Sequence, residues 1–116
     1  MIACLGRMPD ASKAVPFGFQ EQGSRVFHVG EFANTLAGSI YLESKGIDSP
    51  RIPEPNLPEE EKNAQALINA IETGLINACH DVSDGGLIIA LAESAIANRI
   101  GGTIDHDKLG NSAATW

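Results

Sequence analysis

The chain has 116 residues, a net charge of −7, an apolar fraction of 43% and a charged fraction of 20%, which describes one modest globular domain rather than two domains or a disordered tail. Fifteen acids stand against eight bases with no Lys/Arg cluster, so the electrostatic footprint of nucleic-acid binding is missing. The uncharged run at residues 85–92 is far short of the ~20 apolar residues of a membrane span, and the first residues do not read as a secretory signal.

Residues 1–5 read as a strand ended by Gly6, and Pro9, Asp10, Pro16 and Gly18 then punctuate a loop with little regular structure. Phe17 and Phe19, two apart in that loop, read as anchors pressed onto the core, the alternative being exposed contacts to a partner. Residues 25–29 (RVFHV) form the clearest alternating strand of the first half, closed by Gly30. Leu36, Ile40 and Tyr41 share a helical face, which predicts a short helix near residues 37–45, with Gly38 permitting close approach of another backbone.

Prolines 50, 53, 55 and 58 make residues 46–58 extended and solvent-facing. Pro58 followed by three glutamates starts a helix, its acids placed at the positive end of the dipole. Ala64, Leu67, Ile68, Ile71 and Leu75 form its buried stripe and Gly74 its stop, so the helix spans residues 58–74. Residues 75–79 (LINAC) read as a short strand. Leu87, Ile88, Leu91, Ala95 and Asn98 then mark a helix over residues 85–98, ended by Gly101 and Gly102, and residues 103–106 could open another strand. Residues 109–116 carry no usable periodicity. The fold expected is α+β, a mixed sheet packed with three helices.

Between the last strand and the last helix lies HDVSDGGL, residues 80–87. Asp81 and Asp84 bracket Ser83 on a tight turn, so two carboxylates and a hydroxyl are available to a hard cation, and magnesium takes one or two carboxylates together with phosphate and water. Gly85 and Gly86 allow a phosphate to approach the backbone at a helix N-terminus, although the order is not the phosphate-loop pattern and no lysine is supplied. Plain N-capping by Ser83 or Asp84 fits the same residues. His80 reads either as a core or hinge histidine bonded to backbone or as an acid/base group, and no partner for it is apparent. Cys4 and Cys79 read as buried reduced thiols; a disulfide or a nucleophilic Cys79 is the alternative, although Cys79 and His80 would face opposite sides of a strand.

The turn HDVSDGGL, followed by Ala90, Leu91, Ala92 and Glu93, resembles the signature of the phosphoribosylformylglycinamidine synthase family, within the last, C-terminal domain of the aminoimidazole ribonucleotide synthase superfamily. Residues 36–42 (LAGSIYL) resemble the family's L-G-G-S-E-Y-L, with Ala37 in place of a glycine and Ile40 in place of a glutamate, which counts against a polar role for that helix. Gly18, Phe19 and Gly23 also fit the segment that opens the domain. The resemblance runs from about residue 2 to about residue 104.

What the resemblance implies is a cytoplasmic, ATP- and magnesium-dependent ligase step of purine synthesis, in which formylglycinamide ribonucleotide and glutamine-derived ammonia give the amidine. By position, Asp81 corresponds to a magnesium ligand, Ser83 to a nucleotide contact, and Gly85 and Gly86 to the turn beside the nucleotide phosphate; no residue of this chain corresponds to a catalytic group. The partners implied are the N-terminal domains of the same enzyme and a glutaminase domain or subunit. The chain reads as a single, truncated domain over residues 1–116, inactive alone and prone to associate with itself or with the missing parts. A non-catalytic interaction or structural module with the same fold is the alternative.

Overall fold

The computed structural model describes residues 3–31, 35–49 and 51–105. Three α-helices appear, α1 (Ile40–Ser44), α2 (Leu57–Glu72) and α3 (Gly86–Asn98), preceded by a single 3-10 turn at Ala11–Lys13. All three expected helices are present within a few residues of the predicted bounds. No helix among the described residues is long and apolar enough to cross a membrane.

The expected mixed sheet is not formed: there is no strand among the described residues, and the α+β reading is corrected accordingly. The alternation at residues 25–29 is genuine, but Val26, Phe27 and Val29 are all exposed, so neither face of the segment is covered. A strand is defined by its hydrogen-bonded neighbour, and period-2 patterning reports side-chain direction without supplying that neighbour. Residues 75–79 likewise make one backbone bond to the preceding loop, Cys79 N–H to Pro16 C=O at 2.9 Å, instead of a ladder. Residues 3–5 and 103–105 are also irregular; the remainder of those two expected strands, and residues 109–116, lie outside the described residues.

Local sequence sets the helix ends. Gly38 takes a φ of 74° ahead of Ser39, whose hydroxyl accepts the Leu42 N–H at the start of α1. α2 begins at Leu57, with Pro58 in its first turn and Glu59 and Glu60 at the positive dipole end. At its other end Gly74, with a φ of 71°, donates to Ile71 C=O while Leu75 donates to Ala70 C=O, a paired closure of the last turn. α3 closes by the same pair of bonds, Arg99 to Ile96 and Ile100 to Ala95, with Arg99 itself left-handed at φ 56°. It thus ends at Asn98, the expected bound, with Arg99 rather than Gly101 or Gly102 as its left-handed cap.

Tertiary packing centres on α3. Ala90 and Ser94 are its buried side chains, and Leu87, Leu91 and Ala95 beside them are half-buried. Gly18 is buried against the far end of this helix, where a Cβ would lie 2.7 Å from that of Ala97. Phe19 N–H donates to Ser94 C=O at 3.0 Å and Asn98 Nδ2 donates to Phe19 C=O at 2.8 Å. The stripe expected on α2 is less covered than its spacing implies: Leu67 and Ile71 are half-buried, whereas Ala64, Ile68 and Leu75 are exposed. The proline-bearing stretch is irregular and exposed over residues 51–56, as its composition requires.

Candidate functional site

The loop before α1 and the turn before α3 meet at His80. Cys79 is pinned to Pro16 through the backbone bond already described, and this brings the Phe17 ring over His80, with centroids 5.1 Å apart and planes inclined at 48°. The imidazole is mostly covered, and both of its nitrogens face carboxylates: Nδ1 lies 3.2 Å from Asp81 Oδ1 and Nε2 lies 2.8 Å from Glu93 Oε2. His80 is therefore neither a core histidine bonded to backbone nor partnerless. Glu93 escaped sequence reasoning because it is 13 residues away on α3; its place two turns beyond Gly86, on the same side of the helix, was the available signal.

Beyond His80 the chain turns sharply. Ser83 C=O accepts the Gly86 N–H at 3.1 Å, and Gly85 and Gly86 take φ values of 88° and 71°, conformations a side chain disfavours. Gly85 is the N-cap of α3 and no side chain caps the helix. N-capping by Ser83 or Asp84, the simpler reading of these residues, is thereby overturned: both side chains are exposed and make no hydrogen bond or ion pair among the described residues. Close contact with Ile89 leaves no room for a Cβ on Gly85, whose ideal position would be 2.5 Å from Ile89 Cγ1. Asp81, Ser83, Gly85 and Gly86 thus share one turn at the start of α3, the two polar side chains open to solvent.

Among the described residues no group of three or more His, Cys, Asp and Glu is arranged to hold a metal ion. The exposed oxygens of Asp81, Ser83 and Asp84 do suit magnesium in the partial way it is usually held, by one or two carboxylates with phosphate and water completing the shell. These oxygens share one exposed turn. Next to it a cleft of about 330 Å³ is lined by Phe17, His80, Glu93, Ile96 and Ala97. A larger, open hollow of about 410 Å³ lies at α1, lined by Ser39, Leu42, Glu43, Ile47 and Ser49 among others, and contains none of the signature residues. Cys4 is exposed and Cys79 half-buried; both are free thiols, so the reduced state is as expected and full burial is not.

A family model described as AIR synthase related protein, C-terminal domain, matches residues 21–115. Among curated proteins the chain is similar to phosphoribosylformylglycinamidine synthase subunit PurL of Allorhizobium ampelinum, with 41% identity over 105 residues, 90% of this chain and 14% of that protein. The same-named subunit of Thermococcus gammatolerans is 38% identical over 109 residues, 94% of this chain and 15% of that protein. That of Thermomicrobium roseum is 37% identical over 110 residues, again 94% and 15%. The chain therefore spans 14 or 15% of the length of these relatives. No solved structure matches.

Proposed function

Because the chain belongs to the family of AIR synthase related proteins, C-terminal domain, we propose that it is a C-terminal-domain piece of phosphoribosylformylglycinamidine synthase and supplies one wall of a magnesium-nucleotide site. The observation that carries this reading is the exposed turn at residues 81–85, where Asp81 and Ser83 face solvent at the uncapped start of α3. Asp81 is the magnesium ligand, Ser83 contacts the nucleotide, and Gly85 and Gly86 let its phosphate come up to the backbone.

In the whole enzyme the reaction is the ATP-dependent conversion of formylglycinamide ribonucleotide to its amidine in purine synthesis, a cytoplasmic step. In that scheme the terminal phosphoryl group of ATP would pass to the amide oxygen with release of ADP, and ammonia derived from glutamine would then displace it as inorganic phosphate. The remaining contacts come from the N-terminal domains and from a glutaminase domain or subunit. No residue of this chain acts as acid, base or nucleophile in that scheme, so the isolated chain is inactive.

Calorimetric titration with magnesium and a non-hydrolysable ATP analogue tests the site. The unsubstituted chain binds, and Asp81→Ala loses the magnesium-dependent part of the affinity. Equal binding by both would favour a non-catalytic module that keeps the family's fold. A parallel assay for amidine formation tests the fragment reading, which turnover at the rate of the whole enzyme would sink.

A further inference from the structure

The turn's carboxylate is tied to α3 through a histidine held from both sides. Glu93 Oε2 meets His80 Nε2 at 2.8 Å, His80 Nδ1 meets Asp81 Oδ1 at 3.2 Å, and the Phe17 ring backs the imidazole. The imidazole is the covered member of this chain of contacts: its side chain is 21% exposed, against 52% for Glu93 and 79% for Asp81. Carboxylates only accept, so each contact is a hydrogen bond when the ring nitrogen facing it carries a proton. Glu93 stands two turns into α3, a helix fixed by its buried Ala90 and Ser94 and by the backbone bond from Phe19. Asp81, by contrast, lies outside the helix, and among the described residues His80 is the side chain that meets its carboxylate.

We infer that Glu93 is a positioning residue for Asp81, acting through His80. Glu93 and Phe17 fix the plane of the imidazole, and with a proton on each ring nitrogen Nε2–H donates to Glu93 while Nδ1–H donates to Oδ1 of Asp81, the other carboxylate oxygen being left for a hard cation. Outer groups that orient a metal ligand through hydrogen bonds commonly contribute substantially to metal affinity. The inference rests on the assignment of Asp81 as a ligand to magnesium on a nucleotide phosphate, which the proposed function makes.

The test titrates the full 116-residue chain and its Glu93→Ala, Glu93→Gln and Asp81→Ala variants with ADP, with magnesium present and with EDTA, and records the ring ¹⁵N shifts of His80 in each. Glu93→Ala is expected to weaken the magnesium-dependent part of ADP binding about tenfold, to leave magnesium-free ADP binding unchanged and to move the His80 ring signals. Glu93→Gln, whose amide oxygen still accepts from Nε2, is expected to restore most of the affinity. It also keeps the test informative if the alanine variant does not fold. Magnesium enhancement lost in Asp81→Ala but intact in Glu93→Ala overturns the positioning role alone, as does Glu93→Gln binding no better than Glu93→Ala. Enhancement that survives Asp81→Ala, or that the unsubstituted chain lacks, overturns the ligand assignment and the inference with it.

Discussion

Asn98 and Phe19 stand 79 residues apart in the chain, yet the side-chain amide of Asn98 donates to the backbone carbonyl of Phe19 at 2.8 Å. One turn earlier on α3, the carbonyl of Ser94 accepts the Phe19 N–H at 3.0 Å, so both backbone groups of Phe19 are satisfied by a single helix face. This clamp seats Gly18 on Ala97 and brings Phe17 over His80. Together with the Cys79 N–H bond to Pro16 C=O it anchors the loop that carries Phe17 beside the signature turn.

Removing the amide should loosen the clamp. Asn98→Ala leaves the Phe19 carbonyl without its partner and is expected to lower stability by about 1 kcal/mol, the usual net worth of such a bond. Asn98→Asp should be worse, since a carboxylate there faces a carbonyl oxygen. Urea denaturation curves check both; wild-type stability in Asn98→Asp would mean that the bond does not form in solution.

Gly18→Ala places a methyl group 2.7 Å from the Ala97 Cβ and 3.2 Å from the Asn98 amide. The loop or the helix must give way, at an expected cost of about 1–3 kcal/mol, as for overpacking elsewhere. Ala97→Gly opens space at the same point, so the double variant should cost less than the two single changes added together. A thermodynamic cycle from melting curves measures that coupling, and strict additivity would show that the two residues do not meet.

Gly85 and Gly46 share a positive φ, 88° and 67°, but differ in surroundings. A Cβ at Gly46 meets nothing within 4 Å, whereas at Gly85 it runs into Ile89. Gly46→Ala should therefore show only the backbone cost of about 1–2 kcal/mol. Gly85→Ala should exceed it and distort the start of α3, seen as extra loss of helical circular dichroism. Equal effects from the two changes would contradict the packing of Ile89 over the turn.

Asp10 offers a pH-dependent check at the other end of the chain. The Ser12 hydroxyl and the Ser12 amide donate to its carboxylate at 2.7 and 2.9 Å, holding the carboxyl below the ordinary carboxylate range. A depressed folded-state pKa gives stabilisation that is fully present above the unfolded value and is lost as the pH falls through the folded one. Asp10 is fully exposed, so the readout is the titration itself rather than global stability. Ser12→Ala removes the larger cause and should move the Asp10 midpoint upward in a ¹³C-carboxyl titration; an unchanged midpoint would count against the side-chain bond.

The three helices were legible in the sequence because their determinants are local. Pro58 with its glutamates, the Gly74 stop, and the apolar positions of residues 87–98 act within a few turns of the chain, where hydrogen bonds and side-chain spacing need no distant partner. The turn at residues 80–87 was legible for the same reason, since its acids, hydroxyl and glycines are contiguous. The sheet was not. Residues 25–29 alternate as a strand does, yet pairing is a tertiary event, and among the described residues they have no strand beside them. Nor could the sequence decide whether Ser83 or Asp84 caps the helix, or supply His80 with its partner. Those depended on how far Gly85 turns the chain and on a helix face that brings Glu93 to the imidazole, both fixed only when α3 packs against the loop that carries Phe17 and Phe19.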